Sequence, residues 1–274
     1  MTQELIIDFI INDYVVNKRS MINVKKDLKE KYNIIIGDKK ISKILKENDV
    51  SIRTTKETSR KYSHNENFFE NIDTEKKAYW LGFMYADGCV TGNNKSVIKL
   101  GIKDYDHLEK FKNDINATNN IKSYNGISYG TQIEYCTITL RSEKTMNDLI
   151  KQGCVKNKSL ILKFPTLNQV PKHLIRHFIR GYFDGDGSVY MHTTNKTPQI
   201  EFVGTKEFLE GIILNSDLPN EYINTHIFKE KRRESNTYYI KIWKFEDVQL
   251  FYNFMYKDCT VKMDRKFNKF AFDR

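Results

Sequence analysis

Two segments of this chain repeat one pattern: Trp80-Leu81-Gly82-Phe83-Met84-Tyr85-Ala86-Asp87-Gly88 and Ile179-Arg180-Gly181-Tyr182-Phe183-Asp184-Gly185-Asp186-Gly187. The closing Asp-Gly and the small residues fall at the same offsets in both copies. Each copy reads as an apolar helical run with small residues one turn apart, Gly82 with Ala86 and Gly181 with Gly185. A helix face without bulky side chains lets a second backbone come close. Gly88 and Gly187 stand where a left-handed helix stop is expected, which puts Asp87 and Asp186 at the negative ends of their helices. A carboxylate there is disfavoured by about 0.3–1 kcal/mol, and two side by side repel each other. A divalent cation between or beside them reverses that balance, because hard cations take carboxylate oxygens.

At these residues the chain resembles the LAGLIDADG homing endonucleases, in the single-chain form where two motif copies make one pseudo-symmetric enzyme. The flanks Thr74-Glu75-Lys76-Lys77-Ala78-Tyr79 and Leu174-Ile175-Arg176-His177-Phe178 extend the match. The resemblance implies an α+β fold of two αββαββα halves whose paired antiparallel sheets saddle duplex DNA. It implies a site-specific enzyme, of the kind carried by mobile introns, that makes metal-dependent double-strand breaks in a long asymmetric target and leaves 3′ overhangs. Asp87 and Asp186 are then the catalytic metal-binding acids, with backbone oxygens at Gly88 and Gly187 completing the shell. Magnesium is the expected cofactor, or another divalent cation such as manganese. The family also has a basic residue supporting each site, which falls here on Lys158 and Lys266, each after the last helix of its half; Lys163 and Arg265 are the next candidates. Position six of the motif departs from the family name, being Tyr85 in one copy and Asp184 in the other. In the family that acid has a packing or hydrogen-bonding role, so the change does not touch the catalytic acids.

Charge agrees with a polyanionic partner: 45 Lys and Arg against 35 Asp and Glu give a net +10 over 274 residues. The four cysteines, Cys89, Cys136, Cys154 and Cys259, form no Cys-x-x-Cys pair and read as reduced thiols of an intracellular protein, in cytoplasm, nucleus or a DNA-containing organelle. No apolar run approaches membrane-spanning length, and the Met-Thr-Gln-Glu start is not a signal peptide, so a soluble protein, expected to be a monomer, is read. His173 and His177 have a spacing that can hold zinc but lack the accompanying Glu of such sites, and read as surface or packing histidines. An intein is not expected, since the ends are Met-Thr and Phe-Asp-Arg rather than a nucleophile and His-Asn.

Four regions follow from the pattern. Residues 1–53 read as a small helical unit resembling a helix-turn-helix: Leu5, Ile6, Phe9 and Ile10 recur at helical spacing, Ser20 caps a second segment, Asp38 caps a third, and Val50–Arg53 follows as a short strand. Lys39, Lys40 and Lys43 lie in the third segment, where a groove-reading helix carries phosphate-contacting cations. Residues 54–71 are polar and aperiodic and read as a linker. Residues 72–168 and 169–274 form the two halves, their motif acids 99 residues apart.

Alternation assigns the strand faces. Strands near Ser96–Lys103 and Gln132–Arg141 turn Lys99, Lys103, Tyr135, Thr137 and Arg141 away from the apolar side. In the second half Tyr190 and His192 (Ser188–His192), Lys229 and Lys231 (Thr225–Lys231), and Tyr239, Lys241 and Trp243 (Thr237–Lys244) do the same. A cationic, aromatic ribbon of this kind fits the major groove. Two other functions remain open to such a chain: an RNA maturase assisting intron splicing, and a DNA-binding regulator that does not cut.

Overall fold

The computed structural model describes residues 2–17, 19–53, 62–128, 130–194, 197–230 and 236–270. The chain divides into two compact units, Met1–Tyr62 and Ser63–Arg274.

In the first unit α1 (Gln3–Ile11) runs on into a wider π turn over Asn12–Val16, and is followed by α2 (Met21–Tyr32) and α3 (Asp38–Glu47). Ser20 caps α2 by accepting from the Asn23 N–H at 3.2 Å. Asp38 does not cap α3. Gly37 occupies that place, and Asp38 sits in the first turn, where its carboxylate favours the positive helix end and meets Lys25 at 2.9 Å. Ile10, Tyr14, Val24, Leu28, Ile36, Ile41 and Leu45 form a core of their own. The strand expected at Val50–Arg53 is not formed. Arg53 instead packs its guanidinium 4.1 Å over the Tyr14 ring and donates to the Tyr14 carbonyl at 3.1 Å, so the segment is held by side-chain contacts, not by pairing.

The second unit repeats one topology. Its first half runs α4 (Glu75–Ala86), β1 (Gly88–Thr91), β2 (Lys95–Gly101), α5 (Tyr105–Asp114), β3 (Lys122–Ser128), β4 (Thr131–Arg141) and α6 (Glu143–Lys151). Its second half runs α7 (Ile175–Asp186), β5 (Ser188–Met191), β6 (Pro198–Gly204), α8 (Lys206–Leu214), the one-turn α9 (Tyr222–Thr225), β7 (Ile227–Lys229), β8 (Tyr238–Ile242), α10 (Phe245–Tyr256) and the short α11 (Asp264–Phe267). Each half builds a four-stranded antiparallel sheet, ordered β1-β2-β4-β3 and β5-β6-β8-β7. Cys136, Ile138 and Leu140 are buried on β4, as are Ile240 and Ile242 on β8, which leaves Tyr135, Thr137, Arg141, Tyr239 and Lys241 on the other face.

Several boundaries differ from the sequence reading. The polar stretch ends sooner than residue 71, because Phe68 and Phe69 are buried in the core of the second unit; residues 54–61 lie outside the described residues. β2 stops at Gly101, and Lys103 falls in a 3-10 turn over Ile102–Asp104 instead of on the strand. The strand expected from Thr225 begins only at Ile227, after the turn of α9, and Lys231 lies outside the described residues. His192 follows β5 inside the hairpin turn, where its Nδ1 accepts from the Thr194 N–H at 3.4 Å. Trp243 stands one residue past the end of β8.

Candidate active site

The site is set by how closely α4 and α7 pack. A Cβ built on Gly82 would lie 2.0 Å from the Phe178 carbonyl oxygen, and one on Gly181 would lie 1.9 Å from that of Tyr79. The backbones therefore touch where only glycine fits. One turn further on, a Cβ at Gly185 would fall 2.3 Å from the Ala86 Cβ and 3.4 Å from a carboxylate oxygen of Asp87. The small residues thus carry the two helix ends side by side, and with them Asp87 and Asp186.

Gly88 and Gly187 do not take the left-handed conformation expected of a helix stop. Gly187 is extended at φ −70° and ψ 157°, and Gly88 opens β1. Glycine is required there for space: a Cβ would meet the Met84 side chain and carbonyl at 2.6 Å, or the Phe183 ring at 2.1 Å. The chain turns straight from helix into strand across its own last turn.

Asp87 is half-buried and Asp186 keeps access to solvent. Neither carboxylate closes an ion pair or accepts a hydrogen bond among the described residues. Burial pushes Asp87 up to about 6, with the charge of Asp186 adding to the rise and Lys266 and Lys158 opposing it. Asp186 is also raised by burial, against the pull of Lys158 and Lys266. The two acids and two lysines therefore form one electrostatic cluster.

Both lysines are tied to carbonyls at a helix end or a strand start. Lys266 is buried and donates to the Phe183 oxygen at 2.8 Å, which also accepts from the Gly187 N–H, and to the Gly185 oxygen at 2.6 Å at the end of α7. Burial lowers its ammonium to about 8 despite the facing carboxylates. Lys158, half-buried in a 3-10 turn over Lys158–Leu160, donates to the Gly88 oxygen. That carbonyl, expected as a metal ligand, is thus engaged by a lysine. Arg265 is a strut, its guanidinium bidentate on Asp104 at 2.7 and 2.9 Å, and Lys163 pairs with exposed Glu207 at 3.7 Å.

Sequence reasoning gave motif position six a packing or hydrogen-bonding role but not its partners, and it missed Arg180. Asp184 is fully buried and accepts from Tyr79 at 2.7 Å, Tyr256 at 2.6 Å and the Met263 N–H at 2.8 Å, fixing the segment that carries Lys266. Tyr85, its counterpart, donates to the Gln152 carbonyl at 2.6 Å, at the end of α6 ahead of Lys158. Arg180, also fully buried, binds Glu75 at 2.7 Å and the carbonyls of Val261 and Met255. His177 is bound to Arg180 and pushed down to about 4 by burial, which makes it a packing histidine; His173 lies in the 3-10 turn Lys172–Leu174. The one available signal was the alternation of motif position six between Tyr and Asp.

The donor set suits a hard divalent cation only in part. Two carboxylates without hydrogen-bond partners are oxygen ligands of the right kind. Among the described residues no third Asp, Glu, His or Cys joins them, so water and a bound phosphate would have to fill the shell.

The sheet faces present Lys99 3.7 Å over the Tyr135 ring, itself stacked on Tyr124 at 5.4 Å, and Lys241 5.2 Å over Tyr190. Arg141 is exposed at the end of β4, and Lys39, Lys40 and Lys43 are exposed on α3 of the first unit. Lys229 does not join the outward face: it pairs with Tyr238 and so shares the side of Ile240 and Ile242, opposite to Tyr239 and Lys241. Cys136 and Cys154 are buried, Cys89 is exposed, and all four thiols are free.

The architecture is similar to that of several solved structures. Over 73% of this chain and 90% of its own, the homing endonuclease I-WcaI bound to its DNA recognition sequence superposes with a TM-score of 0.52 at 16% identity. The LAGLIDADG homing endonuclease I-GzeII in complex with its DNA target gives 0.42 at 15% identity, over 70% of this chain and 87% of that one. The N-terminal LAGLIDADG domain of DUF199/WhiA gives 0.40 at 16% identity, over 73% and 92%. The chain has the LAGLIDADG fold, with both motif copies on one polypeptide. No family model matches the sequence. A probable translation initiation factor IF-2 of Methanocaldococcus jannaschii is 30% identical over 146 residues, 49% of this chain; the chain spans only 11% of that protein's length. No described helix is long and apolar enough to cross a membrane.

Proposed function

We propose that this chain is a site-specific endonuclease that hydrolyses both strands of a long, asymmetric duplex DNA target in a magnesium-dependent reaction, leaving 3′ overhangs. One observation carries the reading: two carboxylates without hydrogen-bond partners lie at helix tips packed backbone to backbone, and a lysine tied to a carbonyl beside each tip adds its charge.

Asp87 and Asp186 would hold divalent metal through their carboxylate oxygens, with the backbone near Gly187 within the same turn. Bound there, the metal supplies the charge that activates a water and stabilises the leaving 3′ oxygen. An ammonium has three donor protons. Lys266 uses two on carbonyls and keeps one for a phosphate oxygen or the attacking water; Lys158 uses one and keeps two. Each lysine then opposes the charge that builds on the phosphate, one per strand. The cationic and aromatic faces of both sheets would read the major groove, and the first unit would add phosphate contacts through Lys39, Lys40 and Lys43.

A cleavage selection on a randomised duplex library, run with magnesium and with EDTA, tests the reading, with both product ends sequenced. The expected result is paired cuts with 3′ overhangs in magnesium alone. Enrichment of bound but uncut duplexes would favour a non-cleaving regulator, and enrichment of none would reject the function. Deleting residues 1–53 should weaken binding and flatten its salt slope; an unchanged slope removes the first unit from the interface.

A further inference from the structure

Past the end of β8 three aromatic rings form a column. Tyr222 of α9 stacks on His226 with centroids 3.5 Å apart and planes 9° from parallel, and His226 stacks on Trp243 at 4.4 Å and 19°. The column is braced from behind. Tyr222 donates its hydroxyl to Asp247, His226 Nδ1 meets the Thr225 hydroxyl at 2.7 Å, and the His226 carbonyl accepts from the Lys241 N–H at 3.3 Å. Tyr222 is buried, whereas Trp243 is 42% exposed. Among the described residues His226 is the only ring that stacks on the indole, which leaves Trp243 the exposed end of the column.

The fold itself does not ask for this column. Strand pairing puts Cys89 opposite Val97 and Val97 opposite Thr139, and Ser188 opposite Glu201 and Glu201 opposite Lys241. Position 243 therefore corresponds to Arg141, which is a cation and among the described residues has no stacked rings behind it. Among the described residues only the second half ends this strand in stacked rings with a partly exposed indole, and exposed Lys244 adjoins it.

We propose that Trp243 and the column behind it form a stacking platform for a nucleobase that has left the duplex stack in bound DNA. The proposal rests on the DNA-binding reading above and specifies what this end of the second sheet recognises. A flat π face extended by parallel rings is complementary to the face of a base, and any base has one. Paired duplex keeps its base faces covered, so the occupant is an unstacked nucleotide, of the sort a bent target exposes at a flexible step. Lys244 is of the charge needed for its phosphates. Because the rings are already ordered, little side-chain freedom is lost when a base arrives.

The chain has two tryptophans, and Trp80 is fully buried, so a change in quencher access reports on Trp243. The full-length protein in EDTA is titrated with a duplex carrying one extrahelical 2-aminopurine, with the same duplex fully paired, and with the RNA version of the first. The extrahelical DNA should bind about tenfold more tightly than the paired DNA, with 2-aminopurine quenched and Trp243 shielded from iodide. Trp243→Ala should bring that ratio to about one, and Trp243→Phe should keep part of it. Equal affinities in the unaltered protein, a ratio retained by Trp243→Ala, or a preference for the RNA would overturn the platform. Binding to neither duplex would instead overturn the DNA-binding function.

Discussion

The two halves of the site use one skeleton and two different polar solutions. In both, a small-residue helix ends in an acid beside a lysine. Behind the second half stands a dense set of contacts: Asp184 with three hydrogen bonds, Arg265 bidentate on Asp104, and Lys110 on Asp264 at 2.7 Å. The first half has Tyr85 on the Gln152 carbonyl, and Thr205 on the Leu162 carbonyl at 2.6 Å. Lys266 is accordingly buried and titrates low, whereas Lys158 sits half-exposed in a single 3-10 turn. Pseudo-symmetry fixes where the reacting groups meet without fixing how firmly each is held.

The largest expected effect tests whether the acids divide the labour. Asp87→Asn and Asp186→Asn should each slow cutting of at least one strand by on the order of a thousandfold, since several kcal/mol of metal-borne stabilisation is lost, while duplex binding is retained. Strand-resolved gels decide it, and full double-strand cleavage by both variants would reject the assignment.

Lys158→Met and Lys266→Met sharpen the contrast at the next level. Each should cost about 10²–10³ in the rate of one strand, and the two should differ in which strand slows. Equal slowing of both strands by either lysine would mean that the halves share their basic groups.

Position six separates the halves by stability. Asp184→Ala removes three buried hydrogen bonds and should lower unfolding free energy by about 3 kcal/mol or more, against about 1 kcal/mol for Tyr85→Phe. Denaturant melts measure both, and similar losses would show that the second half's network is not its stronger brace.

The smallest effect concerns pH without metal. Asp87 titrates near 6 in the fold, above its ordinary value, so the folded protein binds the extra proton and stability falls as pH rises toward 6. Lys266 titrates near 8, below its ordinary value, so stability recovers as pH rises beyond 8. Because His177, pushed down to about 4, and His107, pushed down to about 3, make stability rise over the same acid range, the Asp87 contribution is read as the stability of metal-free unaltered protein minus that of Asp87→Asn, which should fall as pH rises toward about 6. Magnesium should raise the Tm there for the unaltered chain and not for Asp87→Asn, as measured by calorimetry. A flat difference would mean that the cluster is more solvated than its burial indicates.

Much of this was legible in the chain. The doubled motif placed Gly82, Gly181, Asp87 and Asp186, and alternation on β4 and β8 divided buried from open faces, because helical and strand periods are local and survive in a one-dimensional pattern. Local rules failed where the cause was distant. Gly88 and Gly187 looked like left-handed stops, but their constraint is the Met84 or Phe183 side chain folded back against them. Phe68 and Phe69 sat unnoticed in a polar stretch until a core existed to receive them.

By itself the sequence determined that two equivalent helices would pack on their glycines and end in acids, since spacing and side-chain size decide that before any neighbour is known. Only the tertiary structure decided which partners brace each lysine, how Asp184 and Tyr85 serve unlike ends, and that Tyr222, His226 and Trp243 align. Those contacts join residues from 4 to more than 100 positions apart, and their strength depends on burial and orientation that only the assembled core supplies.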